Sequence, residues 1–199
     1  IITLAFTYVV LARYRQRGGA HLFLWGIGLI FYGLGTASEV LLGFGFNQWV
    51  LKIWYLSGAM FTAAWLGQGT LNLFVRKVKI AWAANIALLV VSLLAFVLVV
   101  RLPVNEQSAS LYNPSLPASA VNPAMGNLLS SRGEPLAQYQ AILNTHGPVL
   151  VLTILLNLYG TIALVGGAAR DGEARVGTRC EVGLAFSTVA IITLFRGSV

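Results

Sequence analysis

The sequence predicts an all-α protein, a polytopic bundle of about six helices crossing a lipid bilayer. Hydrophobic residues make up 57% of the chain and charged residues only 10%, whereas a soluble domain carries about 25% charged residues. The mean hydropathy is +0.78. Apolar runs of spanning length recur along the chain, and the links between them alternate between basic and poor in cations. A soluble fold could not cover its surface with so few charges, so the bilayer must be the solvent for most of the chain. At 199 residues, 1–199 reads as a single transmembrane domain.

A spanning helix needs about 20 mostly apolar residues. The first run, 1–12, is short and reads as the remainder of a longer helix. No small-residue cleavage site follows it, and Arg13, Arg15 and Arg17 come next, so it is not a signal peptide. The second run is 21–44 and the third 48–75. The fourth is 80–100, and the fifth is 148–169, with Pro148 suited to the first turn, where a missing N–H costs nothing. The sixth, 181–195, is again short, which leaves room for a seventh helix in the complete protein.

The links divide into two kinds. Arg13, Arg15 and Arg17 follow the first run; Arg76, Lys77 and Lys79 join the third to the fourth; Arg170, Arg175 and Arg179 join the fifth to the sixth. The turn 45–47 is short and uncharged, and the segment 102–146 holds only Arg132 as a cation, with Arg101 just before it. Cytoplasmic loops carry the excess of Lys and Arg, so the basic links are expected in the cytoplasm of a bacterial inner membrane and 102–146 outside it. This long loop contains Pro103, Pro114, Pro117, Pro123 and Pro135 and is expected to be an irregular cap, with a short interfacial helix over 135–143. Trp25 and Trp82 at one boundary, and Trp49, Trp54 and Tyr55 at the other, fit an interfacial aromatic belt; Trp65 falls mid-helix and is expected inside the bundle.

The net charge of +7 does not point to nucleic acid, because the cations lie in short clusters between apolar runs. The single cysteine, Cys180, excludes an intrachain disulfide, and no Cys/His cluster has zinc-ligand spacing. Glu39 is the acid set well inside a span. The tight turn after its helix places Lys52 at a similar depth, so a structural Glu39–Lys52 ion pair is expected, with a proton or cation site at Glu39 as the sharper alternative. The two histidines, His21 and His146, are the candidate cofactor-binding residues. They fall at opposite edges, about 30 Å apart, too far to share one haem iron. Each could bind a pigment or metal alone; the plainer reading is an interfacial histidine beginning a helix. The cofactor is thus unknown.

Gly58, Ala59, Ala63 and Gly67 in the third run, and Ala163 and Gly167 in the fifth, form small-residue ladders that let helices approach closely. Gln68, Asn72, Asn85 and Asn157 are the intramembrane polar residues, and Asn72 and Asn85 stand at comparable depth, so an interhelical hydrogen bond is expected there. No serine or cysteine has a base within reach by topology, so the chain does not read as an enzyme.

Two stretches, Trp54-Tyr55-Leu56 with Gly58-Ala59 and 63–70, and Leu156-Asn157 with 160–161 and 163–168, together with 35–39, resemble a pattern in uncharacterised bacterial multi-pass membrane proteins. The resemblance implies a shared fold of six or seven helices and no activity. The first functional expectation is a non-catalytic subunit or accessory protein of a larger membrane assembly, such as an energy-transducing complex, with the bilayer and other membrane subunits as partners. A small-solute or ion transporter is the second. It would call for broken helices or inverted repeats. A membrane sensor or ligand-binding module is the third.

Overall fold

The computed structural model describes residues 2–75, 77–116, 120–125, 138–143 and 147–174. Every regular element among them is helical. The expected sixth run at 181–195, His146, Cys180, Arg76, Arg132, Arg175 and Arg179 lie outside the described residues.

Helix α1 spans Ile2–Arg17 and ends where Gly18 and Gly19 take φ values of 64° and 102°. Arg15 and Arg17 fall in its last turn, where cations favour the negative end of the helix dipole. Helix α2 spans Ala20–Leu42. The expected tight turn follows, and Asn47 then opens the next helix, its Oδ1 accepting from the backbone N–H of Trp49 at 2.9 Å and Val50 at 3.2 Å.

From Gln48 to Phe74 the chain stays helical but changes type. Helix α3 is Gln48–Trp54, a π-helical segment is Tyr55–Phe61, and α4 is Thr62–Phe74. Helix α5 spans Val78–Arg101. It stops at Leu102, which sits in extended conformation because Pro103 disfavours helical geometry in the residue before it. Short helices α6 (Glu106–Ser110) and α7 (Gln138–Leu143) follow, with a 3-10 turn at Pro123–Met125 between them. Helix α8, Pro148–Ala174, begins with proline in its first turn as expected.

Among the described residues three helices are long and apolar enough to cross a membrane, at Ala20–Leu42, Val78–Arg101 and Pro148–Gly167. The third expected run is helical from Gln48 to Phe74, but the π segment divides it, and α1 has 16 residues.

Helix α4 lies between α2 and α8 and packs most extensively against both. The main core sits toward the end carrying the turn 43–47 and the segment after α5, here the cap end. There Leu42, Leu51, Met60, Val99 and Ile142 are completely or almost completely buried. A smaller cluster of Val10, Leu29, Leu66 and Leu164 joins α1, α2, α4 and α8 toward the other, basic end. Helix α5 is peripheral. Its buried positions form one stripe, Ala81, Leu88, Ser92, Ala95 and Val99, while Leu89, Leu93 and Phe96 on its outer side are exposed.

The cap departs from expectation. Its helix is Gln138–Leu143, and it is buried in the main core instead of lying at an interface: Gln138 and Ile142 are 0% exposed. Gln138 is satisfied by the chain around it, its Nε2 donating to the carbonyls of Leu116 at 3.0 Å and Asn113 at 3.3 Å. The Tyr112 hydroxyl donates to the carbonyl of Leu42 at 2.8 Å, which ties the cap to the end of α2. An apolar helix end left open to water gains by covering itself with apolar side chains. Ala141, Ile142 and Leu143 supply them.

Candidate functional site

The feature that draws most polar groups together is a cluster on α4, α5 and α8. Gln68, fully buried, donates from Nε2 to Asn85 Oδ1 at 2.6 Å. Asn72 Nδ2 donates to the same Oδ1 at 2.8 Å and to the carbonyl of Gln68 at 2.9 Å. Asn85 Nδ2 returns a bond to Asn72 Oδ1 at 3.3 Å. The expected Asn72–Asn85 bond is therefore reciprocal, and the Tyr159 hydroxyl adds a bond to Gln68 Oε1 from α8. Each amide acts as donor and acceptor at once, which is the arrangement that makes a buried polar group tolerable.

Asn157 stands apart from this cluster, with its Nδ2 donating to the carbonyl of Ala59 in the π segment at 2.6 Å and to Thr153 one turn back at 2.9 Å. Thr153 Oγ1 in turn meets the Tyr55 hydroxyl at 2.8 Å. Two hydroxyls bond within the π region, Ser57 Oγ to the carbonyl of Ile53 at 2.6 Å and Thr62 Oγ1 to that of Ser57 at 2.7 Å.

The small-residue ladders pack within the chain. A Cβ placed on Gly35 would lie 2.9 Å from Gly58 Cα, and one on Gly67 would lie 2.6 Å from the carbonyl oxygen of Gly160. Ala63 is buried where the backbone of Gly160 passes it, and Gly167 faces Thr70 and Phe74. Ala59 and Ala163 are half-buried.

Lys52 is 7% exposed. Its ammonium donates to the carbonyl of Val100 at 2.8 Å and lies 5.2 Å from the ring centre of Trp49. The expected Glu39–Lys52 pair is thereby corrected: Glu39 is exposed on α2, and among the described residues no carboxylate reaches the ammonium. The reason is the C-terminus of α5, whose unpaired carbonyls and partial negative charge offer the cation a nearer partner, with the Trp49 ring beside it. Lys52 therefore fastens α3 to the end of α5.

His21 packs edge-on against Trp25, ring centres 5.6 Å apart. Among the described residues no group of three His, Cys, Asp or Glu side chains is gathered for a metal. Trp49 and Trp82 are exposed as belt residues would be. Trp25 instead turns inward onto Gly69 and donates to Thr70 Oγ1 at 3.3 Å, and Trp54 stacks edge-on with Tyr139 at 4.8 Å.

No known protein family, curated protein or solved structure matches this chain. The site must be read from its own chemistry. Amides and a phenol, bonded to one another, join helices; they offer no strong acid, base or nucleophile.

Sequence reasoning found Gln68, Asn72, Asn85 and Asn157 but missed Tyr159, Thr153 and Tyr112. A tyrosine in an apolar run reads as an interfacial or packing residue. The one available signal was spacing: Asn157 and Thr153 stand one turn apart on α8, and a polar stripe at helical spacing marks a face turned toward a partner.

Proposed function

We propose that the chain is a non-catalytic integral subunit or accessory protein of a larger assembly in a bacterial cytoplasmic membrane. The observation that carries this reading is that the intramembrane amides are turned on each other and on backbone. Gln68, Asn72 and Asn85 bond mutually, and Asn157 bonds the carbonyl of Ala59. Such bonds contribute about 0.6–2 kcal/mol each to helix association. Groups engaged this way hold helices together, and these four amides are turned to protein partners rather than to a solute. The apolar outer side of α5 offers lipid or a neighbouring subunit a smooth surface.

In the proposed arrangement the bundle has six spans, the divided helix Gln48–Phe74 being one of them. The basic links face the cytoplasm and the cap faces outward, following the positive-inside rule.

The test is extraction from native membranes in mild detergent, followed by a native gel, an absorption spectrum and mass spectrometry of the band. Migration in a large multi-subunit band supports the reading, and the co-migrating proteins then name the assembly. A chain that runs alone and colourless removes it, and solute flux in proteoliposomes becomes the next measurement.

A further inference from the structure

Helix α5 is held at both ends by the same neighbouring stretch. Lys52 of α3 bonds the carbonyl of Val100 at 2.8 Å, and Gln68 of α4 bonds Asn85 at 2.6 Å. Between these two clasps the seam is Leu88, Ser92 and Ala95, and the Ser92 hydroxyl is buried without a hydrogen-bond partner. The lengths agree. At about 1.5 Å per residue, Lys52 to Gln68 covers roughly 24 Å and Asn85 to Val100 roughly 22 Å.

The phases agree only because of the π segment. An α-helix turns about 100° per residue, so Asn85 and Val100 lie about 60° apart around α5. In an unbroken α-helix Lys52 and Gln68 would lie about 160° apart, on opposite faces, and one of them would miss α5. Bonding from residue i to i+5 absorbs about one extra residue, which takes roughly 100° out of the count and leaves about 60°. That is the separation α5 presents. The segment Tyr55–Phe61 also carries side-chain support for its form, from Asn157 on the Ala59 carbonyl and from Thr62 on the Ser57 carbonyl.

We propose that Tyr55–Phe61 is a register switch for α5. In the π form both clasps are closed. If the same residues take α-helical bonding, α3 and α4 rotate against each other by about 100°, and one clasp opens whichever end stays in place. Helix α5 is then fastened at a single end and is free to swing out along the bilayer.

The geometry makes an asymmetric prediction. Removing one residue from the segment lets it become α-helical while Lys52 and Gln68 keep the phase they have now. Adding one residue throws them out of phase. The experiment uses the full chain in native membranes with Cys180→Ser. One cysteine pair beside each clasp reports it and leaves Lys52, Gln68 and Asn85 in place: Asn72→Cys with Ala81→Cys on the buried stripe of α5, and Gln48→Cys with Val104→Cys, which line one cavity at the cap end, each joined by a short bifunctional thiol reagent. Deletion of Ala59 should leave both cross-linking yields within about two-fold of the parent, while an alanine inserted after Ala59 should lower one yield by at least about five-fold and spare the other. Equal losses from deletion and insertion, or no loss from insertion, would overturn the switch. If either variant fails to accumulate, Asn157→Leu decides. Removal of its donor from the Ala59 carbonyl should lower one yield by about two-fold or more. Two unchanged yields, or two lowered together, reject the proposal.

Discussion

A methyl group added at Gly160 and one added at Gly166 meet different surroundings. At Gly160 it would run into the backbone of Ala63 and Ala64; at Gly166 nothing lies within 4 Å. Overpacking costs about 1–3 kcal/mol, whereas alanine in an open helical position gains up to about 1 kcal/mol over glycine. Gly160→Ala is therefore expected to lower thermal stability in detergent, while Gly166→Ala leaves it equal or higher. Similar losses from both would mean that α4 and α8 do not approach as described. Tyr139 is a second residue with a definite sign. Burial, then the Tyr112 hydroxyl, and then the Glu39 carboxylate, raise its phenol above the ordinary tyrosine range. A pKa raised on folding means that the neutral form is favoured in the folded state. The stability it contributes is complete below the unfolded value of about 10 and is lost as pH rises above it. Limited proteolysis within 102–147 should accelerate above about pH 10, and Tyr139→Phe should blunt that acceleration. A parent and variant with the same alkaline profile would show that Tyr139 does not help to hold the cap in place.

Among the elements, α5 depends most on a few polar contacts, because its apolar seam is narrow. Asn85 receives from Gln68 and Asn72 and returns a bond to Asn72, whereas Tyr159 supplies only a donor to Gln68. Asn85→Leu strips several partners at once and leaves buried amides unpaired, at a cost of about 1–3 kcal/mol. Tyr159→Phe removes one interhelical bond, about 0.6–2 kcal/mol. The expected order of unfolding temperatures is parent, then Tyr159→Phe, then Asn85→Leu. The reverse order would show that the phenol, and not the asparagine, organises the cluster. At this scale the sequence was a good guide to where helices run and a poor one to their type. Hydropathy sees an apolar run over 48–75, and a π segment inside it changes no apolar residue into a polar one.

For the whole molecule, the arrangement of charges sets the orientation to be tested. With the basic links in the cytoplasm, Lys77→Cys in a Cys180→Ser background should react with a membrane-impermeant thiol reagent only from the inner side. Reaction from the outer side alone would invert the proposed topology. By itself the sequence determined the helical class, the course of α2, α5 and α8, the turn after Leu42 and the Asn72–Asn85 bond. Each follows from local composition: an apolar run in lipid must satisfy its own backbone, which makes it a helix, and two amides at one depth have few partners other than each other. Only the tertiary structure decided which partner Lys52 takes. Depth along the helices allowed Glu39, but the position of α5 around the bundle put the Val100 carbonyl nearer. It also decided that Gln138–Leu143 is core rather than surface, because burial there depends on the open ends of α2 and α5 far away in the chain. Depth can be counted along one helix. The angle at which a side chain leaves it, and what stands there to meet it, depends on every helix packed around it.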